Sequence, residues 1–502
     1  LGLMITGNIN DNTIKNQSRT PKTYIPTGVI QNLLVADNST DGSRNNTSFN
    51  TNYKYSGSKG QELNLDADYG IYTIRSNQKQ PNYYYDVNNH LYQTSVYNFI
   101  APADIDILAV KADWEQNYKK GRLGFGGKVS FVNSKNHFER YSVYNYSSVL
   151  DVPRSNEFQY TENINALYVN FNKQYKGKMI QAGVRMENTV SSGDTYGLNN
   201  DASVNKNSKQ SFNRNYVDFF PSASITFNKN PMKQWSFSYS RRIDRPAYQN
   251  LNPFEFKLDE YTYQKGNTNL RPQYSNILSI TNVYKFKLTT KLSYSHVNDM
   301  FTQIIDTTEK SKSFISQRNL ATQDIISLNV SYPFMYKWYS MFVNVNTFYS
   351  MYKADFGGGN RTIDLNVATL ALFMQHSFKL GKKGWAGELS GFYNSPTVWQ
   401  GTFKSKALWS ADAGISKPVF KNKGNIKASF TDMFRSLKFK GSANFAGQQS
   451  VFSGYGDSRQ FKINFNYRFG SMQVKAARNR TNATEDENKR TQSGNGMGIG
   501  GN

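Results

Sequence analysis

The chain has 502 residues, a formal net charge of +24, no cysteine and 15% aromatics, with a mean hydropathy of -0.67. The 34 Tyr and 34 Phe exclude wholesale disorder, which is aromatic-poor, and the lack of thiols excludes disulfides and thiolate metal sites. No run of 18 apolar residues exists, so a transmembrane helix is excluded, and basic residues spread thinly in short turns predict no nucleic-acid partner.

The chain opens on alternating Leu1, Leu3 and Ile5 with no export signal ahead of them. An exported protein needs one, so the expectation is a C-terminal portion of a longer polypeptide. Period-two alternation then recurs. Leu63, Leu65, Ala67, Tyr69 and Ile71 oppose Asn64, Asp66 and Asp68; Leu123, Phe125, Val129 and Phe131 oppose Lys128 and Ser130. Ile180, Ala182, Val184 and Met186 oppose Gln181 and Arg185, and Trp235, Phe237 and Tyr239 oppose Ser236, Ser238 and Ser240. Ile326, Leu328 and Val330 oppose Ser327 and Asn329. A helix would spread these residues around its circumference; a strand sorts them onto two faces.

Eight short Lys-bearing turns punctuate the pattern: 56–60, 118–121, 175–178, 228–233, 284–287, 333–337, 380–384 and 420–424. Between them lie longer polar stretches, about 10–46, 76–103, 137–160, 190–214 and 244–271, with shorter ones near 306–313, 354–361, 395–400 and 436–456. Short turns on one side and long loops on the other are the rhythm of an outer-membrane barrel, apolar toward lipid and polar toward the lumen. The prediction is an all-β, antiparallel, up-and-down transmembrane β-barrel over 1–469, with about eighteen strands. Asp66 and Asp68 are expected to face the lumen. The loops read as extracellular and the Lys-bearing turns as periplasmic.

The last strand alternates without error: Phe461, Ile463, Phe465, Tyr467 and Phe469 against Lys462, Asn464, Asn466 and Arg468. Phe461, Phe465, Tyr467 and Phe469 are also candidates for the signal that barrel-assembly machinery reads. Residues 470–502, rich in Arg, Asn, Thr, Glu and Gly, read as a disordered polar periplasmic tail.

One block carries a resemblance. Tyr239-Ser-Arg-Arg-Ile-Asp-Arg-Pro246 is followed by Asn252-Pro253, Gly266-Asn267 and Leu270-Arg-Pro-Gln273. With Phe219-Phe-Pro221, Glu388-Leu-Ser-Gly-Phe-Tyr393, Phe430-Thr-Asp-Met-Phe434 and Ala476-Ala-Arg-Asn-Arg480, it resembles the barrel of TonB-dependent receptors, in the outer-membrane form abundant in Bacteroidota. The resemblance implies 22 strands around an N-terminal plug. About four strands and the plug would then be lacking, leaving an incomplete wall with two open edges. It also implies a loop motif at the barrel rim, carried by Arg245, Pro246, Asn252, Pro253, Gly266, Asn267 and Pro272. The prolines alternatively just stop ladder pairing where strands become loop.

The resemblance implies uptake of a bulky polar nutrient such as a siderophore, oligosaccharide or peptide. The implied partners are outer-membrane lipid, the barrel-assembly machinery, the energy-coupling TonB complex acting through the plug, and a surface lipoprotein. No cofactor is expected. The competing readings are a passive porin of eighteen strands, with strand 1–9 paired to strand 457–469, and a barrel that only anchors a surface or adhesion protein. An enzyme is not expected, because His90, His137, His296 and His376 form no ligand motif and no nucleophile elbow or P-loop is present. His296 with Asp299 is the one pair to check against a barrel hydrolase.

Overall fold

A computed structural model describes residues 1–502 except 25, 258–261, 310–311, 356, 358, 382, 401–402, 446–447, 471–481 and 492–502. The alternating segments form a 22-stranded sheet. Four of its members, Leu91–Ile100, Ser147–Leu150, Glu255–Lys257 and Thr262–Lys265, are short pieces on the long-loop side. The remaining eighteen form the wall, each paired antiparallel with its neighbours in chain order, from Gly2–Tyr24 to Gln460–Tyr467. Thr397–Gln400, Phe403–Ser405, Lys438–Phe445 and Gln448–Tyr455 make a separate four-stranded sheet in the loops.

All eight Lys-bearing turns join consecutive wall strands. Several are tight because their central residues take positive φ, as at Lys119 and Lys120 (48° and 60°) or Lys285 and Phe286 (49° and 57°). Two consecutive left-handed residues match the strand twist; they close a two-residue hairpin between Tyr118 and Gly121 and lie in the three-residue connection between Tyr284 and Leu288. Lys at such positions keeps the turn wet at little packing cost.

The long polar stretches differ from the expectation. Residues 10–46 are mostly ladder: Gly2–Tyr24 pairs with Val29–Ser56 from Gly2↔Asn52 to Tyr24↔Val29. The strands Glu62–Tyr85, Gly121–Tyr144, Lys178–Leu198 and Val204–Phe227 likewise run into stretches expected to be loop. Backbone hydrogen bonds extend the sheet beyond the lipid, where side chains no longer need to alternate.

The wall has two chemically distinct faces. Outward rows include Leu65, Leu108, Phe125, Phe131, Leu167, Phe237, Leu278, Leu292, Ile326, Leu370, Leu389, Ile415, Ile426 and Phe465, all exposed. They face each other across the ladder, as in Tyr69↔Leu108, Leu108↔Phe131, Phe237↔Ile280, Ile280↔Leu292 and Leu292↔Leu328. An apolar surface this continuous is a lipid belt. Inward rows over the first half of the wall are buried and largely polar (Asp66 and Asp68, then Lys128, Ser130, Ser134 and Asn136, then Glu187, Thr189 and Ser191), with an apolar patch at Ile105, Ile107, Val132 and Phe158. Asp66 and Asp68 thus lie on the face opposite the belt, as expected.

Among the described residues, Gly2–Tyr24 pairs with Val29–Ser56 alone, and Gln460–Tyr467 with Gly424–Thr431 alone. The two end strands do not pair with each other.

Candidate functional site in the lumen

Two segments from outside the wall cover the polar face. The first is the loop after Asp244. Pro246 forbids further ladder pairing, and the chain turns inward into a short 3-10 turn, Tyr248–Leu251. Tyr248, Leu251 and Leu270 pack with Tyr72, Ile105, Ile107, Val132, Phe158 and Tyr160 from the wall. The loop motif is therefore folded against the inner wall.

Its residues hold the loop shut. Asn252 Oδ1 accepts from the Phe254 N–H (3.2 Å), and Pro253 lies between them. The Asn267 N–H donates to the Asn250 carbonyl (2.7 Å), while Asn267 Nδ2 donates to the Gln317 carbonyl (2.9 Å). A Cβ at Gly266 would stand 1.9 Å from the Asn252 carbonyl oxygen, so only glycine fits there. Arg245 Nη2 donates to Glu187 Oε2 (2.7 Å) and Thr189 Oγ1 (3.0 Å). Burial opposes the Arg245 charge, but the Glu187 carboxylate outweighs it and keeps the guanidinium above its ordinary range. Arg271 pairs with Asp299 (2.8 Å) beside the buried Pro272. The turn carbonyls are satisfied by Arg214, which donates to Leu270 and Thr268.

The second segment comes from the tail. The expected disorder over 470–502 does not hold for 482–491: Glu485–Arg490 is a helix, α1, and Ala483, Thr484, Glu487 and Thr491 are buried. Residues 471–481, with the Ala476–Arg480 part of the resemblance, and 492–502 lie outside the described residues. Glu487 Oε2 accepts from Lys128 Nζ (2.9 Å), and both are buried. Arg490 pairs with Glu162, its second guanidinium contact at 3.3 Å, donates to the Pro246 carbonyl (3.0 Å), and stacks 4.3 Å above the Tyr248 ring. Desolvation works against Arg490, but Glu162 and Tyr248 hold its pKa well above the ordinary value. Tyr160 Oη completes the Glu162 shell (2.8 Å).

The docking has further polar contacts. The Ala483 N–H donates to Asp68 Oδ2 (2.7 Å), whose other oxygen accepts from Asn50 (2.7 Å). Tyr72 Oη donates to Asn488 Oδ1 (2.6 Å), and Arg44 Nη2 reaches the Thr491 carbonyl (3.2 Å). Sequence reasoning missed Lys128, Glu162, Tyr248, Glu487 and Arg490 as one cluster. A signal existed: Thr484 precedes three acidic residues and the segment ends in Lys489-Arg490, the charge order of a short helix.

The other singled-out residues lie elsewhere. Phe461, Phe465, Tyr467 and Phe469 are exposed on or just after the last strand; Phe465 and Tyr467 pack against Phe420 at 6.2 and 5.7 Å, and Tyr467 against Phe469 at 4.8 Å. His296 and Asp299 do not form a pair. His296 Nδ1 contacts Asp324 (2.7 Å) and Nε2 contacts Asn298 (3.0 Å), whereas Asp299 binds Arg271.

A model of the outer membrane protein beta-barrel family matches residues 54–467. The chain belongs to this family. No curated protein matches it. Solved structures share the fold at low identity. The ferric yersiniabactin uptake receptor of Yersinia pestis is 12% identical, with a TM-score of 0.53 over 93% of this chain and 76% of that one. The copper transporter OprC is 9% identical, with a TM-score of 0.53 over 93% and 79%. The siderophore receptor PiuA of Acinetobacter baumannii is 9% identical, with a TM-score of 0.50 over 92% and 77%. The chain is thus an outer-membrane β-barrel of the fold found in TonB-dependent receptors.

Proposed function

We propose that this barrel is the wall of a receptor-transporter of the TonB-dependent type, which takes up a bulky polar nutrient (a siderophore, oligosaccharide or peptide) across the outer membrane. The observation that carries this reading is the wide wall with a polar inner face, partly covered by folded segments. Barrels of about 16–18 strands leave an aqueous channel, and 22-stranded outer-membrane transporters have a plugged lumen. The similar solved structures named for siderophore and copper transport support the same reading. The partners proposed with it are outer-membrane lipid, barrel-assembly machinery acting on the last strand, a surface lipoprotein, and an energy-coupling complex reached through a plug.

A closed passive porin would need Gly2–Tyr24 to pair with Gln460–Tyr467, and no such pairing exists among the described residues. The deciding experiment is uptake of labelled candidate nutrients by cells with and without the gene, in the presence and absence of an uncoupler. Gene-dependent uptake that the uncoupler abolishes is the expected result. Uptake that persists without the proton gradient would overturn the reading in favour of a passive pore.

A further inference from the structure

We propose that the lumen face carries a peptide-recognition site, and that its occupant is the chain's own segment Asn482–Thr491. The wall and the inward loop together offer a set of recognition groups. Asp68 takes a backbone N–H, Tyr72 reaches an amide side chain, Lys128 takes a carboxylate, and Glu162 with Tyr248 takes a guanidinium. The segment presents a complement to each: the Ala483 N–H, the Asn488 side chain, the Glu487 carboxylate and the Arg490 guanidinium. Glu487 and Arg490 stand three residues apart, so they share one side of α1. The side chain of Lys489 is 67% exposed, and that of Asp486, though 77% exposed, comes within 3.8 Å of Lys128 Nζ.

This arrangement differs from a tail resting on a surface. Lys128, Glu487, Glu162 and Arg490 have side chains no more than 10% exposed, and buried ions persist only when paired. Removing the segment would leave Lys128 and Glu162 desolvated against the loop cluster, or rehydrated by water entering the lumen. The wall is therefore matched to this segment by charge sign and position, and the inward loop adds ring stacking through Tyr248. A docked segment also narrows the lumen, so passage of a bulky solute requires it to leave; that consequence rests on the uptake reading, and the docking does not.

The chain's lack of cysteine gives a clean test in this 502-residue chain. Ala483 is 3% exposed, so Ala483→Cys reports docking through its rate of maleimide labelling. In the folded chain this cysteine is expected to react at least about tenfold more slowly than in the unfolded chain, as local protection requires. Lys128→Glu should speed labelling toward the unfolded rate, and Lys128→Glu with Glu487→Lys should slow it again. Glu487→Lys alone, which leaves the wall unaltered, serves if Lys128→Glu fails to fold, with heat-modifiable gel migration reporting the barrel. Equal rates in folded and unfolded chains, or a Glu487→Lys chain that labels as slowly as the parent, would overturn the proposal. Neither result depends on transport, so a failed uptake assay leaves this test intact.

Discussion

The strands Gly121–Tyr144 and Gln460–Tyr467 use the same period-two pattern, yet their polar faces meet different surroundings. In the first, Lys128, Ser130, Ser134 and Asn136 are buried, with Lys128 against the tail helix and Val132 of the same row against the inward loop, while Val129 and Phe131 face outward. In the second, Lys462, Asn464 and Asn466 are as exposed as Phe461, Ile463 and Phe465. Alternation assigns a side chain to a face; it does not determine whether that face is covered. The covered half of the wall holds buried ion pairs that must be satisfied, and the bare half holds none of comparable burial among the described residues.

The comparison can be broken most directly at Arg490. Arg490→Ala leaves the Glu162 carboxylate buried without its guanidinium, a loss of about 3–5 kcal/mol, which should release the segment. Hydrogen exchange over 483–491 would then approach the unstructured rate, and retained protection would show that burial of the covered face does not depend on this pair. A slightly smaller effect is expected on the outer face. Leu292→Arg should cost about 2–4 kcal/mol in lipid, whereas Ser293→Arg on the inner face should stay within about 0.5 kcal/mol. Urea unfolding in vesicles followed by tryptophan fluorescence measures both, and equal costs would contradict the assignment of faces.

Gly266→Ala tests the inward loop. Its Cβ would collide with the Asn252 carbonyl, costing about 1–3 kcal/mol and raising proteolysis within 245–272 without unfolding the wall. The smallest change is expected at Asp432, in a loop of the less covered half. Its carboxylate accepts from Ser458 Oγ (2.5 Å) and from the Ser436 N–H (2.8 Å) and Oγ (3.0 Å). Burial alone would raise its pKa, but these hydrogen bonds outweigh it and hold the group below the usual carboxylate range. A depressed folded pKa contributes stability that is complete above the unfolded value, near 4, and is lost as pH falls through the lower folded value. Loop protection should therefore be flat from pH 7 to about pH 5 and decline only in stronger acid. Asp432→Asn should cost about 1 kcal/mol at neutral pH and flatten that acid decline, as hydrogen exchange over 432–437 would show.

Much of this fold is legible in the chain. The eight Lys-bearing turns can be read because a turn between two alternating segments has few conformations, and the outward rows because hydrocarbon permits only apolar side chains. The extended hairpin Gly2–Ser56 is not legible: above the lipid, polar side chains serve a ladder as well as a loop, so Asn, Ser and Thr carry no register signal. At the site, Arg245, Gly266 and Asn267 can be recognised as a motif, but their inward folding cannot. α1 has a local signature in Thr484 and the acidic turn after it. Its docking has none, because Lys128 lies 359 residues from Glu487 and Glu162 lies 328 residues from Arg490.

What the amino-acid order determines by itself is the wall: period-two alternation sets which side chains meet lipid and which meet water, residue by residue, without reference to distant partners. What only the tertiary structure decides is which of the wetted groups are taken out of water. That depends on charges hundreds of residues apart meeting in one place, and desolvation makes such a meeting stable only when every buried ion finds its opposite.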